Sequence, residues 1–417
     1  MSKKLTKREK KKLNNFAVTH WKVLLAVFLL IVLFCCFAYF MGWFDILFNY
    51  FRDDPIMSKA GGHITTVNEF QDMKVNFLDV GQGDCIIIEL PDNKTMIIDS
   101  GDFSSDQKAI SNFTSLRNID TFDYLLLTHS DRDHVGNMDW VIENYKIGYI
   151  FRPNNYSKND ISSSLPAEFN PVIDSKNAYV NDKDVYAEFM VAAYNEKCAV
   201  EVFNKDSDFE NKMVCGINEM TYKFDFLTPT AKRENIAYKD ANNYSPILML
   251  EYAGRRVMFN GDAELEALSE YVDTYGNAYN VDVYKVGHHG SSNATTQEYI
   301  DAIDPEYAVI QCGAGNTYGH PEKEPIEILT NHQDGVEIYR NDTNGDIVLS
   351  VSASGEMSWT FDNNDMSKNN IPAVKPQKTS VGRQINDFSA QNYLSELWKE
   401  CIIFKYNEIT NKKEVDL

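Results

Sequence analysis

The chain has 417 residues, 43% of them hydrophobic, and 61 acidic against 40 basic side chains, for a net charge of −21. That length and apolar content suffice for one large domain or two ordinary ones and exclude a wholly disordered chain or a small disulfide scaffold. Polyanions are repelled at long range by such a charge, which counts against broad electrostatic binding of nucleic acid, although bound divalent cations reverse the sign locally.

Residues 1–22 hold eight Lys or Arg and one acid, Glu9, and Val23–Phe44 follows as 22 residues without a charge. The run is long enough to cross a bilayer, exceeds the apolar part of a usual signal peptide, and is apolar on every face, which suits lipid better than a half-exposed core. With Asp45, Asp53 and Asp54 beyond it, the positive-inside rule predicts a single-pass anchor with a cytoplasmic basic tail (1–22), a span (23–44) and an extracytoplasmic remainder. Cys35 and Cys36 fall within that span and the other cysteines are scattered, so no disulfide framework or C-x-x-C zinc pattern is expected; Cys198 with Cys215 is the nearest pair outside it.

Residues 45–72 lack periodicity, contain Gly61-Gly62, and are expected to be a linker. Short apolar runs then predict hairpin-linked strands over 75–78, 85–90 and 96–98, a helix near 104–116, a strand at 124–127 and an amphipathic segment over 138–145. Residues 153–220 are polar and irregular and are expected to form a surface insertion. Strand-like runs return at 245–252, 256–260, 281–286 and 307–312, separated by helical stretches. The expected domain spans 73–362, and 363–417 forms a polar extension with one amphipathic segment around Tyr393–Tyr406.

Chemistry gathers at the ends of these strands. Of eight histidines, His129, His134, His288, His289 and His320 stand in compact motifs, whereas His20, His63 and His332 do not. The stretch LLLTHSDRDHVGN (125–137) places imidazoles and carboxylates directly behind a strand, the mixed N and O donors that zinc, manganese or iron accept. Further motifs are IIDSG (97–101), FNGDAE (259–264) and KVGHHGSS (285–292).

Taken in order, these motifs resemble the metallo-β-lactamase superfamily, and within it the hydrolase domain of ComEC-type competence DNA-uptake proteins. The likeness rests on FLDVGQGD (77–84), the H-x-D-x-D-H-x-G core, Asn242-Asn243-x-Ser245, G-D-A-E, H-H-G-S and Y-G-H-P (318–321), and covers roughly 75–351. It implies an α/β fold, an αββα sandwich of two packed mixed sheets with outer helices, preceded here by one transmembrane helix. The chain has one apolar span rather than a many-helix channel, so the likeness does not extend to DNA transport.

The resemblance implies that His129 and Asp131 take one cation, that Asp133, His134 and His288 take another, and that Asp262 bridges them. A water shared between the cations would ionise near neutral pH and attack phosphorus or a carbonyl carbon. Asp131 stands where a histidine is usual, and no histidine between His134 and His288 fills the middle ligand motif. The first site is therefore oxygen-rich, and the expected cofactors are two divalent ions, zinc or manganese.

His288 is assigned as ligand and His289 as its neighbour, a one-residue choice that spacing leaves open. Asp99 is expected to orient a ligand histidine or to form a turn before Gly101, with Asn243 and Ser245 behind the ligands. Asp133, His289 and His320 are the candidates to act on substrate, and His320 fits a structural turn equally well. Asp79 and Asp84 are expected to cap the Gly-Gln-Gly turn or wall the site.

The function expected from this is a membrane-anchored, extracytoplasmic dinuclear metal-dependent hydrolase, a phosphodiesterase or nuclease. Its partners would be a phosphoester substrate, DNA or an envelope polymer, and the lipid bilayer. A cell-envelope phosphoester hydrolase resembling phosphorylcholine esterases is the alternative within the enzyme class. A binding module with the fold but no catalysis is the alternative outside it.

Overall fold

The computed structural model describes residues 63–154, 183–230, 238–333 and 335–373. The basic tail, the expected span 23–44 and the Tyr393–Tyr406 segment lie outside the described residues. Among the described residues no helix is long and apolar enough to cross a membrane.

Apolar residues at successive strand positions produce sheets that are buried on both faces. In CIIIEL, Ile86 and Ile88 point into the space between two sheets, while Cys85 and Ile87 point under helices. The second half repeats the device, with Leu248 and Leu250 facing the opposite sheet and Met249 facing the helices. Each such Leu or Ile contributes about 1.5–3 kcal/mol on burial, and the alternation forces a four-layer stack of helices, sheet, sheet, helices.

One sheet runs, in spatial order, β16 (Met357–Phe361), β15 (Ile347–Val351), β2 (Met73–Phe77), β3 (Ile86–Glu89), β4 (Thr95–Ile98), β5 (Thr121–Leu126), β6 (Lys146–Arg152) and β7 (Ala199–Val202). The other runs β1 (His63–Thr66), β8 (Phe209–Cys215), β9 (Asn218–Phe226), β10 (Leu248–Tyr252), β11 (Arg255–Phe259), β12 (Val283–Lys285), β13 (Tyr307–Ile310) and β14 (Glu337–Arg340). Both are mixed: β4 to β7 and β11 to β14 are parallel, and hairpins build most of the rest. Helices α1 (Ser104–Arg117), α2 (Arg132–Val135), α3 (Met138–Asn144) and α4 (Lys183–Glu196) belong to the first half. α5 (Leu265–Tyr275), α6 (Gln297–Ile303) and α7 (Lys323–Asn331) belong to the second, and α8 (Asn341–Asn344) leads from β14 into β15.

Two sequence expectations need correction. The stretch expected as an irregular insertion over 153–220 contains α4, β7, β8 and the start of β9, and only 155–182 lie outside the described residues. Phe203, Met213, Tyr222, Phe224 and Phe226 from this part of the chain are buried between the sheets, where Phe151 lies 5.3 Å from Phe226 by ring centroid. Its polar average hid a partial period-two pattern, because in β8 and the middle of β9 buried residues such as Asn211, Met213, Tyr222 and Phe224 alternate with partly or fully exposed ones. The end of the expected linker is also structured: His63–Thr66 forms β1, parallel to β8.

In an α/β layout the carboxyl ends of parallel strands are where loops are free to carry chemistry. Here the loops after β4, β5, β11, β12 and β13 carry Asp99, the His129–His134 segment, Asp262, His288-His289 and His320 respectively.

Candidate metal centre

The site begins with α2, a single helical turn entered through Asp131 in an extended conformation. That turn directs His134 inward while its backbone carbonyl accepts hydrogen bonds from the Ser100 N–H at 2.9 Å and the Ser100 hydroxyl at 3.1 Å. Asp99, at φ 57°, accepts from the Thr128 N–H and hydroxyl, and its Oδ2 lies 2.7 Å from His134 Nδ1. A carboxylate on Nδ1 fixes the ring and aims Nε2 at the interior.

From the other sheet, Asp262 enters behind Gly261, whose φ is +48° and at which a Cβ would meet Ser245 and Thr128 at 2.9 Å. Only glycine fits that close approach. The Ser245 hydroxyl accepts from the Asp262 N–H at 3.1 Å and lies 3.2 Å from His129 Nδ1, so it joins the two halves. Asn243 Oδ1 accepts from the N–H groups of Glu264 and Ala267, which pins the loop after Asp262 to the first turn of α5 without touching a ligand.

The donor atoms converge. Asp262 Oδ2 lies 3.2 Å from His134 Nε2, 3.5 Å from His289 Nε2, 3.8 Å from His288 Nε2 and 3.9 Å from His129 Nε2. Asp131 Oδ2 stands 4.0 Å from His129 Nε2, and Asp133 Oδ2 stands 3.1 Å from His289 Nε2. Among the described residues, three groups offer one ligand atom per residue within 4.8 Å of one another: His129–His134–Asp262 and Asp133–His134–His289, which share His134, and Asp84–Asp99–His134, whose Asp99 already bonds His134 Nδ1.

These residues fit a cation on a physical test. His129 Nε2, His134 Nε2 and Asp262 Oδ1 are buried and make no hydrogen bond, an arrangement that is expensive unless something else satisfies those atoms. Imidazole nitrogens beside carboxylate oxygens are the donors zinc and manganese take.

Residues 78–156 match the model of the metallo-beta-lactamase superfamily. The chain carries a metallo-β-lactamase domain. Over 290 residues it is 27% identical to ComE operon protein 3 of Bacillus subtilis, covering 66% of this chain and 32% of that protein. It is 25% identical to competence protein ComA of Neisseria gonorrhoeae, covering 67% of this chain and 33% of that protein. The chain thus spans about a third of the length of these relatives of the ComEC family. A metallo-beta-lactamase fold protein from Bacillus subtilis, YhfI, is 11% identical with a TM-score of 0.37, over 70% of this chain and all of that one.

The metallo-β-lactamase centre here differs in detail from the sequence assignment. His289, buried, joins Asp133 and His134; His288, the residue assigned to that cluster, is a quarter exposed and turns its Nδ1 to Glu264 Oε1 at 3.0 Å. Both histidines are left-handed, at φ 45° and 54°, so the backbone kinks between them and the two rings part. Holding non-glycine residues there costs about 1–2 kcal/mol each and marks a functional turn. His134 is also shared by both clusters rather than confined to one.

His320 lies at the rim, its ring centroid 5.4 Å from His288 and 6.2 Å from His289, and it bonds to none of the expected ligands. Burial and the charges of His289 and His288 push its pKa down to about 4, so it is a neutral imidazole at pH 7.

Electrostatics follow from the crowding. Burial opposes ionisation of Asp262, but His134, His289 and His288 outweigh it and hold the carboxylate well below the usual range. Burial likewise disfavours a charge on His134 and His289, yet Asp262 leads the carboxylates that raise both, His289 to about 10. His129, fully buried and beside His134, is lowered.

Sequence reasoning passed over Lys285, Glu264 and Gln311, and expected Asp84 to cap a turn or wall the site. Lys285 was legible in principle, since a lysine in the strand VDVYKV contradicts burial on both faces. The Cys198 and Cys215 thiols are free.

Proposed function

We propose that this chain is a dinuclear metal-dependent phosphodiesterase of the ComEC-like group, anchored in a membrane with its metallo-β-lactamase domain on the extracytoplasmic side. The observation that carries it is the convergence of His129 Nε2, His134 Nε2 and Asp262 Oδ1, buried and without hydrogen bonds, from loops of both sheets. Phosphoester chemistry is favoured over β-lactam chemistry by the donor set. Asp131 supplies oxygen where a histidine is usual, beside the carboxylates of Asp133 and Asp262, and oxygen-rich sites suit the cations that clamp phosphoryl groups. One relative is named for competence, and on that likeness the reading takes a nucleic-acid phosphodiester as substrate.

His129, Asp131 and Asp262 would hold one cation, Asp133, His134 and His289 the other, with Asp262 between them. Bound there, divalent cations supply Lewis acidity toward a phosphoryl oxygen and lower the pKa of coordinated water. The protein's own part is positional. Asp99 keeps the proton of His134 on Nδ1, Ser245 holds His129 and the Asp262 backbone in register, and His288 is steadied by Glu264. His320, neutral and with an Nδ1 that makes no hydrogen bond, is placed at the rim to accept a hydrogen bond or a proton from substrate or water.

The test is hydrolysis of bis(p-nitrophenyl) phosphate and of single-stranded DNA by the purified protein, with manganese and with zinc, alongside Asp262→Ala. Cation-dependent turnover lost in the variant supports the reading; cation-loaded protein inert toward every phosphodiester overturns it. Membrane orientation is tested separately. A cysteine placed at Asp54 is expected to react with an impermeant maleimide on intact cells, and protection there with labelling only after lysis overturns the topology.

A further inference from the structure

Behind His289 lies a buried ion pair that the chemistry above does not use. Lys285 closes β12 with a side chain 0% exposed, and its ammonium sits 2.6 Å from Oδ2 of Asp84, whose side chain is 2% exposed. The same ammonium donates to the Val286 carbonyl at 2.9 Å. Desolvating both charges is costly, and an apolar pair of the same shape is often as stable or more so. Stability alone therefore gives no reason for a charge here.

Asp84 has a second face. Its Oδ1 is buried, makes no hydrogen bond, and lies 3.3 Å from His289 Nδ1. The Asp84 N–H donates to the Asp133 carbonyl at 3.2 Å, and a Cβ at the preceding Gly83 would meet that carbonyl at 2.5 Å, so the turn is seated on the residue that faces His289 Nε2. The Gln311 carbonyl accepts from His289 Nδ1 at 2.9 Å, and the Gln311 side chain is itself tied to the Leu78 and Cys85 carbonyls on either side of the turn.

We propose that the Lys285–Asp84 pair is a positioning device for His289, which keeps a proton on Nδ1 and presents Nε2 to a cation held with Asp133 and His134. The ammonium holds Asp84 in place within an apolar layer, its carboxylate faces Nδ1 at 3.3 Å, and the Gln311 carbonyl is the acceptor of the Nδ1–H. Lys285 and Asp84 touch neither substrate nor cation; they act through the histidine. This inference rests on the proposed reading that His289 binds metal.

The experiment compares wild type, Asp84→Asn and the paired variant Asp84→Asn/Lys285→Met, which removes both charges while keeping the volume. Thermal melting of the cation-free proteins and manganese titration by calorimetry are read together. Expected for the paired variant is a melting temperature within a few degrees of wild type and a cation affinity lower by about 10- to 100-fold, the range for losing a partner behind a ligand. A folded variant that binds manganese within threefold of wild type makes the pair merely structural and overturns the inference. Wild type that binds no cation instead removes the metal reading beneath it. Should both variants fail to fold, nitrogen NMR of the zinc-loaded wild type decides: a proton on His289 Nδ1 supports the device, and a bare Nδ1 overturns it.

Discussion

The two histidine pairs of the site, His129 with His134 and His288 with His289, are built on different kinds of backbone. In the first pair His129 stands in the loop behind β5 and His134 on α2, the single helical turn that follows, and both side chains are buried with Nε2 free of hydrogen bonds. The second pair is adjacent in sequence on a left-handed kink: the Nε2 atoms of His288 and His289 lie 3.8 Å and 3.5 Å from Asp262 Oδ2, but only His289 also meets Asp133. A loop that runs into a helical turn separates two donors in a defined way; for two neighbours on an irregular turn, local hydrogen bonds decide how each ring is aimed.

The largest expected effect lies where both pairs meet. Asp262→Ala is expected to lower phosphodiester turnover by about 10³-fold, the upper end for losing one electrostatic stabiliser, and to lower bound metal measured by elemental analysis. Retention of full metal content and rate would show that the two pairs do not share a carboxylate. Next, His289→Ala should reduce bound cation by about one per chain, whereas His288→Ala keeps the metal and loses less than about tenfold in rate, as for a group that assists without coordinating. The reverse ranking would restore the assignment made from sequence and break the distinction between the pairs.

A smaller effect is expected behind the first pair. Asp99→Asn is predicted to weaken cation affinity by about 10- to 100-fold with little change in melting temperature, since the bond from the Thr128 N–H to Oδ1 survives in an amide. Equal affinity in a titration would reduce Asp99 to a turn former.

The pH dependence is a further check. In the cation-free protein His134 and His289 are raised, His289 to about 10, so both hold protons at neutral pH. Their contribution to stability is fully present below the unfolded value of about 6.5 and is lost as pH rises through the folded values. A cation must displace those protons, so affinity is expected to rise with pH from neutral toward about 10 for the His289 cluster. Calorimetry in two buffers of unlike protonation enthalpy should detect proton release on binding; proton uptake would contradict the sign. The smallest effect is structural: Asn243→Ala removes an acceptor shared by two N–H groups and is expected to cost about 1–2 kcal/mol of stability with the metal content unchanged.

Much of this was legible in the residues. Apolar runs such as Ile86–Ile88 and Leu248–Leu250 read as strands because a two-residue period on a pleated backbone leaves few other solutions. The His129–His134 segment and Asp262 read as donors because strand ends followed by glycine-rich turns place side chains rigidly. What failed to read was the stretch 183–226, where buried positions alternate with polar, partly exposed ones and so dilute the apolar signal, and the meeting of Asp84 with Lys285, which lie 201 positions apart in the chain and meet only across the seam between the sheets.

The sequence by itself determined the strands and their two-faced burial, the four-layer class and the donor types, because these depend on local period and on side-chain chemistry. Only the tertiary structure decided which of two adjacent histidines faces Asp133 and that His134 serves two clusters. It alone seated a buried lysine behind His289. Those outcomes depend on backbone torsion at a kink and on contacts between distant segments, and no local pattern encodes either.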